Sequence, residues 1–156
     1  MAEPDREGLA AARTIALRSR RFGDYDVPEE RIVVFPDGLV GFPEARRFAL
    51  LEPSRAESPF HYLVCVDYPE LGFVVCDPER LWPSYSSEVP RPADVTGEVA
   101  VLVLVRIPAD PGESTANLMA PLVIDCATRR GRQLVLDTGR WATRHPLFRL
   151  AAPDAS

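Results

Sequence analysis

The chain is predicted to be all-β and mainly antiparallel: a compact, partly closed β-barrel-like single domain with only short helical turns. Three observations predict it. Short runs rich in Val, Ile, Leu and Phe are each closed by Pro, Gly or Asp, the pattern of many strands joined by tight connections. Sixteen prolines among 156 residues exclude long helices and guard sheet edges, because proline offers no donor to a passing strand. At 46% hydrophobic, the chain has apolar residues enough for one core at a length typical of one domain.

Residues 1–13 mix charge, Ala and Gly without a firm period and read as a flexible N-terminal arm, with the domain at 14–150 and a C-terminal tail at 151–156. The first candidate strands are Thr14 to Arg18, Asp24 to Val27 and Arg31 to Phe35. Pro36-Asp37-Gly38 then forms a turn, with Pro setting φ and Gly accepting a positive one, and Gly41-Phe42-Pro43 leads into a short helical turn at Pro43 to Arg47. Strands at Phe48 to Glu52, Tyr62 to Asp67 and Gly72 to Asp77 follow, the last two forming a hairpin whose tip carries Pro69 and Glu70. A second helical turn is expected at Pro78 to Trp82, and the Ser- and Pro-bearing segment Ser84 to Asp94 reads as a surface loop.

Glu98 to Ile107 contains VAVLVLV, apolar at every position of Val99 to Val105, so both faces must be covered; it is the predicted central, fully buried strand. Asn117 suits a turn ahead of Pro121, leaving Leu118 and Met119 at a strand entry, one expected in the core and the other at a contact. Pro121 to Ala127 and Arg132 to Asp137 close the chain as a hairpin across Thr128-Arg129-Arg130-Gly131, where Gly131 is expected to supply the positive φ.

Composition bounds function. A formal charge of −5 and pI near 5.1 argue against nucleic acid as the main partner and favour a basic protein. All 18 positive residues are Arg. Arg18, Arg20 and Arg21, with Arg129, Arg130 and Arg132, would touch RNA only if they shared a face, and solvated surface is the default. Cys65, Cys76 and Cys126 are odd in number and sit in separate apolar runs, which points to reduced, buried thiols in a soluble cytoplasmic protein and no metal site. No G-x-S-x-G elbow surrounds Ser54, Ser58, Ser84 or Ser114; His61 reads as a boundary residue, and His145, ahead of Pro146, suits packing or capping as readily as titration. Gly38 and Gly41 lack the third glycine and following helix of a phosphate loop. The expectation is therefore no enzyme, no cofactor and no membrane, with a small-barrel enzyme or an RNA-binding barrel as the alternative. Asp67, Glu70, Asp77 and Glu79 bracket one hairpin and read either as a landing place for a basic partner or as ordinary surface charge.

Longer blocks add to this reading. FPDGLVGFPEARRFALLE (Phe35 to Glu52), Pro59-Phe60, FVVCDP (Phe73 to Pro78), STANLMAPLVIDCATRRGRQLVLD (Ser114 to Asp137) and RHPLF (Arg144 to Phe148) occur in an order that resembles the flagellar assembly factor FliW family. The resemblance covers most of residues 14–148. It implies a non-enzymatic barrel-like protein, monomeric when free, that binds the translational repressor CsrA, relieving repression of flagellin mRNA, and binds flagellin, which restores it. Matching positions include Gly38, Gly41, Phe42, Asp77, Pro78, Asn117, Leu118, Pro121, Gln133 and Leu136, most of them expected to hold the fold. Asp67, Glu70, Asp77, Asn117, Leu118 and Met119 are the candidate partner-binding residues. Asp125 stands where the family commonly has Asn, the Ser84 to Asp94 segment is shorter than the family's insert, and the N-terminal arm is longer. If the insert helps form a partner groove, CsrA binding is expected to weaken and flagellin binding to persist.

Overall fold

A computed structural model describes residues 13–52 and 60–147; the predicted arm, apart from Arg13, and the tail lie outside the described residues, as do Ser54, Ser58 and Pro59. Eleven strands are numbered in chain order: β1 Thr14–Ser19, β2 Gly23–Pro28, β3 Ile32–Val34, β4 Arg47–Leu51, β5 Phe60–Cys65, β6 Gly72–Cys76, β7 Val99–Arg106, β8 Thr115–Ala116, β9 Leu122–Asp125, β10 Arg130–Gln133 and β11 His145–Pro146. Helix among the described residues is limited to 3-10 turns at Glu29–Arg31, Pro78–Arg80, Ser86–Glu88 and Pro111–Glu113.

Seven strands close into a barrel in the order β9-β10-β3-β4-β5-β6-β7, with β7 pairing back onto β9. All these pairings are antiparallel except β10 with β3, which meet in parallel at Arg130 and Val34. Side chains alternate across each strand, and the apolar runs use both faces. The interior receives Phe48 and Leu50 of β4, Leu63 and Cys65 of β5, Phe73 and Val75 of β6, Ala100, Leu102 and Leu104 of β7, and Leu122 and Ile124 of β9, around Phe35. The outer face of β4 and β5, through Ala49, Leu51 and Val64, is covered by the β1–β2 hairpin with Leu17 and Val27. Val103 and Cys76 instead face a second outer layer of Tyr85, Leu118, Leu136 and Leu147. Burying several such side chains, each contributing about 1.5–3 kcal/mol, is what holds these layers to the barrel.

Two glycines make close approaches possible. A Cβ at Gly72 would lie 2.7 Å from the Phe22 ring, so this position lets the β1–β2 hairpin dock. The expected role of Gly131 is corrected: it carries no positive φ, and Arg129 takes the left-handed conformation at φ 60° in the turn 126–129. Gly131 instead lies in β10, where a Cβ would meet the Phe35 ring at 2.7 Å.

Other expectations shift. The helical turn at Pro43 to Arg47 is absent; Leu39 and Phe42 exchange two backbone bonds of 3.1 and 2.7 Å, making a tight loop that ends in a turn onto β4. Gly38, at φ +71°, closes the preceding turn with a 2.8 Å bond to Phe35 O, as read from the sequence. The Ser84 to Asp94 segment is no simple surface loop, since Tyr85 is fully buried and donates its hydroxyl to Leu118 O at 2.5 Å. Cys65 and Cys76 are buried as expected, but Cys126 falls in the turn after β9 and is exposed. VAVLVLV touches apolar clusters on both faces, yet only Leu102 and Val103 are buried, the rest being half-exposed.

Candidate protein-binding surface

The six residues singled out from the sequence do not form one patch. Asp67 accepts from Arg47 Nη2 at 2.8 Å, and this hydrogen bond raises the Arg47 pKa. Glu70 is at the predicted tip, where Leu71 N bonds Tyr68 O at 2.8 Å, but its carboxylate accepts from Arg20 N at 2.7 Å and fastens the β1–β2 hairpin. Asp77 lies beyond the other end of β6, where it caps the 3-10 turn by accepting from Glu79 N at 2.9 Å. The five residues of β6 therefore hold the two carboxylate pairs about 16 Å apart, and the acidic side expected of this hairpin divides into two separate places.

Asn117 Oδ1 accepts from Met119 N and Ala120 N at 3.1 and 3.0 Å, the turn role read from the sequence. Leu118 is fully buried and Met119 half-buried, so Leu118 is the core member of the pair. One arginine of each group is committed locally, Arg18 to Asp26 at 3.2 Å and Arg132 to Asp94 at 2.9 Å, the latter holding the Asp94 carboxyl below its ordinary range. His145 packs edge-on against Trp82 at 5.2 Å, and His61 Nδ1 is buried without a hydrogen-bond partner among the described residues.

Sequence reasoning missed an exposed apolar surface at one end of the barrel. The Leu39–Phe42 loop lifts Val40 and Phe42 out of the wall, leaving them 67% and 40% exposed, and the β5–β6 tip presents Tyr68 at 56%. Phe42 is braced by Phe73 at 5.5 Å in an edge-on contact. Phe42, Pro43, Ala45, Tyr68 and Leu71 line a depression of about 380 Å³ whose charged member is Glu44. Exposed aromatics around a concave, braced apolar floor are the features of a protein contact. The signal in the sequence was Val40 and Phe42 beside two glycines and Tyr68 before Pro69, types that pack inward in a strand but outward at a turn.

No helix among the described residues is long and apolar enough to cross a membrane, and no group of three or more His, Cys, Asp or Glu among them is placed to hold a metal. Residues 16–147 match the family described as FliW protein. The chain is 34% identical over 135 residues to the flagellar assembly factor FliW of Alkaliphilus metalliredigens, covering 83% of each chain. It is 37% identical over 139 residues to that of Geobacillus kaustophilus, covering 85% of this chain and 94% of the relative. A crystal structure of the flagellar assembly factor FliW superposes with a TM-score of 0.74 at 35% identity, over 85% of this chain and 96% of that one. With the family matched across the whole barrel and the same fold in a solved relative, the chain belongs to the FliW family of flagellar assembly factors.

Proposed function

We propose that this FliW-family protein is a non-enzymatic, cytoplasmic binding protein that engages CsrA and flagellin, relieving CsrA repression of flagellin mRNA and coupling flagellin level to its synthesis. The observation that carries the reading is the exposed depression ringed by Phe42 and Tyr68, on a barrel matched to the family from end to end. The net charge of −5 suits encounter with a basic RNA-binding protein. Glu44 stands beside the aromatic floor, where a rim charge would steer approach while Tyr68 and Phe42 hold the complex.

The test is titration calorimetry of purified flagellin and purified CsrA, each against the full chain and a Tyr68→Ala variant. Tyr68 is exposed, so its removal leaves the fold intact, and a central aromatic anchor is expected to cost about 2 kcal/mol, or roughly thirtyfold in affinity. Failure of the unaltered protein to bind either partner overturns the function. Binding that Tyr68→Ala leaves unchanged moves the contact off this depression.

A further inference from the structure

β7 is paired along only part of one flank. Its even-numbered residues direct their backbone groups toward β9 and β8, as bonds from Cys126 N to Glu98 O and from Asn117 N to Leu104 O establish, at 3.1 and 2.8 Å. Backbone groups alternate sides along a strand, so those of Val99, Val101, Val103 and Val105 face β6. The β6–β7 ladder ends at Cys76 opposite Val103. Local chemistry ends it there: Pro78 has no N–H to donate, and Asp77 turns the chain into its 3-10 cap. Val99 and Val101 stand opposite Asp125 and Val123 with their N–H and C=O groups turned from β9, and these groups have no partner among the described residues.

The open edge lies on a cavity of about 510 Å³ lined also by Asp77, Glu79, Ser86 and Glu98. Three carboxylates there face one guanidinium, that of Arg91, which already donates to Gly97 O. The Ser86 hydroxyl oxygen is buried with no partner among the described residues. The wall thus presents unpaired backbone groups, an unpaired hydroxyl and excess negative charge over the apolar side chains of β7.

We propose that this gap is a strand-insertion site, in which an extended peptide segment bearing Arg or Lys pairs with Val99 and Val101 while its cations meet Asp77, Glu79 and Glu98. The site takes three or four residues, since the open span from Val99 to Leu102 is about 13 Å long. Main-chain bonds supply affinity and the carboxylates select charge, as in other β-augmentation sites. The inference rests on the protein-binding reading above and specifies the form of one partner segment.

The probe is a fluorescein-labelled octapeptide, Ala-Arg-Val-Arg-Val-Arg-Val-Ala, with a Glu-for-Arg counterpart, titrated by anisotropy against the full chain and followed by amide hydrogen exchange. The expected result is binding of the cationic peptide alone, with exchange at Val99 and Val101 slowed about tenfold or more. Asp77→Asn, Glu79→Gln and Glu98→Gln combined are expected to weaken it about tenfold, each removing one charge pair while keeping shape. Val101→Pro removes the β7 N–H that donates to the inserted peptide and is expected to weaken binding; should it not fold, the isosteric triple variant carries the test. No peptide binding, protection confined to other residues, or unchanged affinity in the triple variant overturns the proposal. Flagellin and CsrA are titrated against the same proteins. Their binding to the unaltered chain, undiminished in the triple variant and with no peptide protection of Val99 and Val101, overturns insertion while leaving the proposed function standing. Peptide protection of Val99 and Val101 without binding of either supports insertion by itself.

Discussion

Gly131→Ala separates two physical roles for one glycine. A Cβ at this position would lie 2.7, 2.9 and 3.1 Å from Cε2, Cζ and Cδ2 of Phe35, closer than side chains pack. Phe35 cannot yield readily, being fully buried and set edge-on against Phe48 with ring centres 5.7 Å apart. Overpacking of this kind costs about 1–3 kcal/mol, against which the alanine recovers about 0.4–1 kcal/mol by restricting the unfolded chain. Contacts of 2.7 and 2.9 Å with a ring that cannot yield take the upper part of that range, about 2–3 kcal/mol, so the net loss is about 1–2.5 kcal/mol, or roughly 2–10 °C in melting temperature for a chain of this size. Urea unfolding should show a lower midpoint at unchanged slope. Phe35→Leu discriminates further: it removes the ring atoms the new methyl would strike, so the double variant should be more stable than the sum of its parts by about 1 kcal/mol or more. A neutral Gly131→Ala, or additive behaviour with Phe35→Leu, would refute the steric account.

Arg129→Gly should stabilise by up to about 1 kcal/mol, since the left-handed conformation at φ 60° costs a side-chain-bearing residue about 1–2 kcal/mol and glycine's extra unfolded freedom offsets part of that; urea midpoints decide it. Leu118→Ala should cost about 2–5 kcal/mol and Met119→Ala about 1 kcal/mol or less, and equal losses would place both in the core. Alkylation followed by mass spectrometry should label Cys126 in the native protein, and Cys65 and Cys76 only in denaturant, with Cys126 slower than a free thiol because desolvation raises its pKa. Burial, assisted by Asp77, pushes the Cys76 thiol up to about 12. The unfolded thiol ionises first, so this contribution is intact below about pH 9 and lost as pH rises toward 12, at up to about 1.4 kcal/mol per unit. Cys76→Ala should flatten the fall of melting temperature above pH 9; an unchanged fall would assign it to other groups.

Much of the barrel was legible because its signals are local. The hairpin tip Tyr68 to Leu71 and the Asn117 turn follow from turn chemistry alone, and the apolar runs identified strands covered on both faces. Errors cluster where a residue's neighbour is distant in sequence. Gly131 resembled a turn glycine because glycine is suited both to positive φ and to close approach, and only Phe35, far away along the chain, tells the two apart. Tyr85 has the sequence surroundings of a loop residue because its polar flanks hide that its hydroxyl has a buried acceptor, Leu118 O. The candidate carboxylates were legible as charges but not as a site: Asp67, Glu70 and Asp77 each serve a local bond, and strand length separates them. The exposure of Phe42 and Tyr68 is not legible in the sequence, because apolar residue types carry no mark of which way a turn will point them.

By itself the sequence determined the β class, the near absence of helix, the turns and the family, since proline frequency, β-branched runs and ordered blocks need no partner to be read. Only the tertiary structure decided closure and exposure. Closure depends on β7 reaching both β6 and β9, a choice of partners that alternation leaves free because both faces of VAVLVLV are apolar. The edge left open at Val99 and Val101 follows from where β6 stops, and the depression at Phe42 from two loops meeting, relations between segments that exist only once the chain is folded.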